Sequence, residues 1–157
     1  MNPSATSLKP RSLATSPALE AIDPPALLRA LELFATHEAQ ITQRLYVIFF
    51  DRRPDARELF GAHSIAEREE MLRETLRSLH ALYAGEVWLE GNLLALGKSH
   101  CEYGVTEDMY ASFSDCLIDG GQDVLGDEFD EAAVDSLRAA MARITKKMKA
   151  GSKNGSA

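Results

Sequence analysis

The chain has 157 residues, 45% apolar and 26% charged, a length and composition that describe one globular domain with a sizeable core. Its 17 basic and 24 acidic side chains leave a net charge of −7, which argues against a nucleic-acid binder, since that would need a basic face. No apolar run approaches the roughly 18 residues of a membrane span, the N-terminus lacks the apolar core of a secretory signal, and Cys101 and Cys116 make no disulfide framework, so a cytoplasmic protein is expected.

Residues 1–22 hold Pro3, Pro10 and Pro17 among serines and polar groups, and read as a disordered arm. Asp23 can cap a first helix opening on Pro24, with Leu27, Leu28, Leu31 and Phe34 as its apolar stripe. A second helix is expected over 38–52, carrying Ile41, Leu45, Ile48 and Phe49. Pro54 opens a short turn ending at Phe60. Beyond it come 103 residues without proline, rich in Leu and Ala, which favours an all-α chain. Ser64-Ile65-Ala66-Glu67 has the form of a capping box for a long third helix, broken near Gly85. Further helices are expected over 88–102, ending at Gly104, from Thr106 to Gly126, and over 130–149. The domain is placed at 23–149, and 150–157 reads as a frayed tail.

Charge is segregated along the chain. Residues 86–135 hold 13 acids and one base, Lys98, whereas 136–157 hold six bases and no acid. The simplest account is an acidic face complemented by a basic last helix within the same molecule; a docking surface for a basic partner is the sharper one.

Of the four histidines, His37, His63 and His80 read as surface or structural residues. His100 differs, because it follows Leu96 by one turn near the end of a short helix and precedes Cys-Glu-Tyr-Gly-Val. A single histidine on an apolar helix face can be the axial ligand of haem iron. The absence of Cys-x-x-Cys-His excludes covalent attachment, and the cysteines lack the spacing of a zinc site.

Segments from Ile22 to about Lys147 resemble a globin, nearest to single-domain bacterial haemoglobins and the globin domain of flavohaemoglobins. The resemblance rests on Leu45-Tyr46-Val47-Ile48-Phe49-Phe50, on Pro54 followed six residues later by Phe60, on Ser64 to Met71, on Leu96 to Val105 around His100, and on Tyr110 ten residues further. It implies a globin fold around non-covalent haem b. His100 would be the metal ligand, Phe60 would stack on the ring, and Leu96 and Val105 would pack beneath it. Tyr46, Glu67 and Met71 would be distal residues.

The sequence departs from the family pattern on both the distal and the proximal side. Glu67 falls where relatives carry His or Gln; an ionised carboxylate only accepts hydrogen bonds, so Glu67 is expected to turn outward and leave Tyr46 as the donor to a bound gas. Met71 replaces a usual leucine and is either a gap-filler or a sixth ligand. Glu70 stands where a base would meet a haem propionate, with Arg68 or Arg73 as substitutes. On the proximal side, Tyr110 matches a tyrosine that relatives link to the histidine through a glutamate, but that position falls near Ser152.

The resemblance implies reversible binding of oxygen, nitric oxide or carbon monoxide. The alternatives are a nitric oxide dioxygenase drawing on an external electron donor, and a haem-based gas or redox sensor module. Leu137, Met141, Ile144 and Met148 form an apolar seam that reads either as a homodimer contact or as core.

Overall fold

The computed structural model describes residues 22–61 and 64–154, and every regular element among them is helical. In chain order these are α1 (Pro24–Thr36), α2 (Glu38–Arg52), α3 (Pro54–Phe60), α4 (Ile65–Ala84), α5 (Leu89–Glu102), α6 (Glu107–Leu125), a 3₁₀ turn (Gly126–Glu128) and α7 (Glu131–Asn154).

Local chemistry sets the boundaries. The prolines at 24 and 54 each begin a helix, where a missing N–H leaves no bond unmade. The stretch after Pro54 is a seven-residue helix rather than a turn. At the start of α4 the Glu67 N–H donates to Ser64 Oγ (3.3 Å) and the Ser64 N–H donates to Glu67 Oε2 (2.6 Å), a complete capping box. Gly85, at φ 69°, ends α4 in the left-handed conformation that glycine adopts without strain. His37 is the one residue between α1 and α2, and its Nδ1 bonds the Leu33 carbonyl at 3.0 Å, a structural role.

Helices α5 and α7 pack most extensively, followed by α2 with α6 and α1 with α7. The α5–α7 crossing depends on two glycines. A Cβ at Gly97 would lie 2.7 Å from the Met148 Cα, and one at Gly151 would lie 2.7 Å from the Leu94 Cα. Backbone therefore meets backbone, reciprocally, one glycine from each helix. Phe34, Leu27, Leu31, Ile41, Leu45 and Leu72 are fully buried between the layers.

Two further expectations change, and of two readings of the last helix one holds. The last helix runs to Asn154, so 150–154 are helical rather than frayed: Gly151 is where the chain meets α5, not where it stops. Ile22 packs against the core and so does not belong to an arm, while residues 1–21 and 155–157 lie outside the described residues. Leu137, Met141, Ile144 and Met148 are all buried within the chain, so the seam is core and offers no dimer surface.

The charge segregation resolves within the molecule. Arg138 pairs with Asp115 (2.9 Å), Lys147 with Glu90 (2.8 Å), Arg44 with Asp123 (2.7 Å) and Arg52 with Asp119 (2.6 Å). Each pair is half-exposed and contributes little alone, but together they place bases of α2 and α7 along the acidic segment.

Candidate functional site

Between α4, α5, α6 and α7 lies a cavity of about 310 Å³ with an almost wholly apolar wall. Six of the eight residues singled out from the sequence line it: Phe60, Met71, Leu96, His100, Val105 and Tyr110. Helical periodicity explains the α4 wall, since Glu70, Met71, Glu74, Thr75 and Ser78 fall at spacings of three and four and so share one face. Helix α7 closes the far side with Met141, Ile144, Thr145 and Met148.

His100 lies in this wall with its ring held by the backbone. Its Nδ1 lies 2.7 Å from the Leu96 carbonyl oxygen. A carbonyl only accepts, so Nδ1 carries the proton and Nε2 keeps its lone pair. That is the tautomer a metal-binding imidazole needs, with the second nitrogen oriented by a backbone carbonyl. Among the described residues no group of three or more His, Cys, Asp or Glu side chains could hold a bare metal ion. A lone imidazole in an apolar cavity suits an iron that brings its own equatorial ligands, and the residues present therefore fit haem.

Tyr110 lies beside His100, with ring centres 6.3 Å apart. Its hydroxyl is buried and finds no hydrogen-bond partner among the described residues. Burial pushes its pKa up, reinforced by Cys101 and Glu107. The Ser152 hydroxyl donates to the Lys149 carbonyl at 2.7 Å. The imidazole is thus oriented by the Leu96 carbonyl rather than by a carboxylate.

Two of the eight residues stand apart from the cavity lining. Glu67 is exposed and its carboxylate closes the α4 cap, so it turns outward as its acceptor-only chemistry suggested. Tyr46 is buried, packed against Phe50, Phe60 and Phe113, and its hydroxyl donates to Met71 Sδ at 3.7 Å. Burial drives its pKa far above the ordinary tyrosine value, with the nearby Arg68 pulling the other way, so the phenol stays protonated. Met71 therefore stands between Tyr46 and the cavity.

The bases considered as partners for propionates also lie elsewhere, and no Lys or Arg is among the lining residues. Arg73 is held by Glu38 (2.7 Å), Glu70 (3.0 Å) and Glu69 (3.5 Å). The Arg68 guanidinium lies 5.1 Å from the Phe50 ring centre and 5.9 Å from that of Tyr46. The rim instead carries the carboxylates Glu70 and Glu74, paired with Arg73 and Arg77. Sequence reading did not place Glu74 and Ser78 in the wall, although they follow Glu70 at intervals of four. Nor did it assign the α7 residues to the cavity, since an apolar seam looks the same whether it faces core or cofactor.

The sequence profile described as Globin matches residues 43–148. No curated protein matches the chain. Among solved structures, a hexacoordinated heme protein from an anhydrobiotic tardigrade superposes with a TM-score of 0.70 at 18% identity, covering 88% of this chain and 99% of the other.

Proposed function

The chain belongs to the globin family, and from that premise we propose that it is a haem-b protein that reversibly binds oxygen and related diatomic gases. Haem, when bound, would supply the iron to which a diatomic gas binds. The observation that carries the reading is the His100 imidazole, fixed with Nδ1 on the Leu96 carbonyl inside an apolar cavity. Nε2 is then the metal-binding nitrogen, and the apolar walls from α5, α6 and α7 exclude water from the ring.

The chain's own residues define the distal side. Tyr46 keeps its proton and is the nearest phenol donor, one side chain behind Met71. Glu67 is committed to the cap of α4 and offers no donor. His80, also on α4, is exposed and lies outside the lining. Met71 would line the distal side of the haem, with its thioether turned to the Tyr46 hydroxyl as a hydrogen-bond acceptor. In finer form the protein resembles single-domain bacterial haemoglobins, a reading supported by the Pro54-to-Phe60 spacing and by Tyr110 beside His100.

Optical spectra of the haem-loaded protein test this. The wild type should show a Soret band that shifts when carbon monoxide is added after reduction, with a single broad visible band in the ferrous form. Failure to take up haem would refute the function, and sharp split ferrous bands would refute the open distal face.

A further inference from the structure

The chain has five methionines, and the four beyond Met1, namely Met71, Met109, Met141 and Met148, all line the cavity around His100. Leucine would fill such a wall equally well, so the sulfur brings a chemistry that packing does not need: a thioether is soft, polarizable and oxidisable. The four are not equivalent. Met109, Met141 and Met148 are buried, whereas Met71 is partly exposed. Glu70, its neighbour in the wall, has a side chain 68% exposed, so this part of α4 lies at the mouth of the cavity. The Met71 sulfur accepts the Tyr46 hydroxyl at 3.7 Å. That contact occupies one of its two lone pairs and leaves the other for an electrophile entering the cavity.

We propose that Met71 is a modification site, at which hydrogen peroxide converts the thioether to a sulfoxide that takes the Tyr46 hydroxyl as its hydrogen-bond donor. The free sulfur lone pair attacks one peroxide oxygen, and the O–O bond breaks. The departing hydroxide takes the proton from the transferred oxygen and leaves as water. Sulfur loses two electrons and the peroxide gains them. The sulfoxide oxygen carries partial negative charge and accepts more strongly than the thioether, a weak acceptor. Tyr46 is fixed among Phe50, Phe60 and Phe113 and keeps its proton, so the donor is already in place. A polar oxygen in an apolar wall needs such a donor to offset its desolvation. With the thioether, the phenol is free to turn to a bound gas; with the sulfoxide it is held. Methionine sulfoxide is reversible by reductases, so the site works as a switch. The effect on gas binding rests on the functional reading above, whereas the modification itself does not.

Cys101 is exposed and its thiol also reacts with peroxide, so the test uses a Cys101→Ser background. It begins with the full haem-free chain, in which no iron competes for the oxidant. After brief exposure to dilute hydrogen peroxide, peptide mass spectrometry should find one added oxygen on Met71 before Met109, Met141 or Met148. In urea the four should react alike. The Tyr46 ring ¹³C resonances should move as Met71 is oxidised, return after treatment with the methionine sulfoxide reductases for both epimers, and stay still in Met71→Leu. Once haem is added to the oxidised chain, oxygen affinity should fall about tenfold, the effect of losing one hydrogen bond, and peroxide should cause no further fall in Tyr46→Phe. Equal reaction of the four methionines in the folded chain, or a buried one reacting ahead of Met71, would overturn the site. Oxidised Met71 beside an unmoved Tyr46 would rule out the hydrogen bond. An unchanged oxygen affinity would remove the effect on gas binding. Failure of the untreated protein to take up haem would sink the functional reading alone and leave the modification standing.

Discussion

Replacing Gly97 by alanine tests the geometry that holds His100. The new Cβ would lie 2.5 Å from the Met148 carbonyl carbon and 2.7 Å from its Cα, both backbone atoms that no rotamer change can move aside. Carbon atoms pack comfortably at about 3.5–4.0 Å, so α5 and α7 must separate by about 1 Å. Overpacking of this kind costs about 1–3 kcal/mol, against a gain of about 1 kcal/mol from replacing a helical glycine by alanine. The Cβ would overlap the Met148 carbonyl oxygen as well, which puts the cost at the upper end of that range, so the net expectation is a loss of about 2 kcal/mol, or roughly 4–8 °C in Tm for a chain of this size. His100 lies three residues further along the same helix, so haem should also dissociate faster. Gly91 provides the control: it is on α5 too, and a Cβ there would meet nothing within 4 Å, so Gly91→Ala should stabilise by up to about 1 kcal/mol. Urea denaturation of both variants, with haem transfer to an acceptor apoprotein, reads the two signs. If Gly97→Ala stabilises as Gly91→Ala does, the backbone contact between α5 and α7 is wrong.

His100→Ala should abolish tight haem retention, while His37→Ala and His80→Ala should retain it; a fully loaded His100 variant would end the assignment. Tyr46→Phe should weaken oxygen affinity about tenfold, the effect of losing one hydrogen bond to a partly negative ligand, whereas Glu67→Ala should change it little; equal affinities in wild type and Tyr46→Phe would show that the phenol never leaves Met71. Glu70→Lys places a base where the rim now carries an exposed carboxylate, so haem loss should slow by about threefold at low ionic strength and the difference should shrink with added salt. A salt-independent difference would point to packing rather than charge.

The features most legible in the sequence were those set by local chemistry. Proline placement, the Ser64–Glu67 box and Gly85 gave the helix limits because each acts within one turn of chain. His100 stood out for a similar reason, as a strong donor one turn after Leu96, and that carbonyl proves to orient its ring. What escaped the reading depended on partners distant in sequence. Residues 150–157 read as a tail because nothing near Gly151 reveals that the Leu94 backbone comes close. Tyr46 belonged to the right helix, but whether its hydroxyl reaches the cavity or stops at Met71 depends on how α2 crosses α4. The apolar seam of α7 has one periodicity for two environments, and only the packing of α5 and α6 against it shows that part of it faces the cavity.

The position of α7 also bears on how the protein is made. This helix packs on α1 and α5, its Ser136 hydroxyl accepts the Asp23 N–H at 3.2 Å just before α1, and Met141, Ile144, Thr145 and Met148 complete the cavity wall. Residues 131–154 are thus the last of the described helices to emerge during synthesis, and the pocket stays open on one side until they do. His100 leaves the ribosome earlier, on a helix whose main packing partner does not yet exist. Secure cofactor capture is thereby deferred until α7 has docked, so a nascent chain stalled before residue 131 should hold haem less tightly than one released with α7 in place.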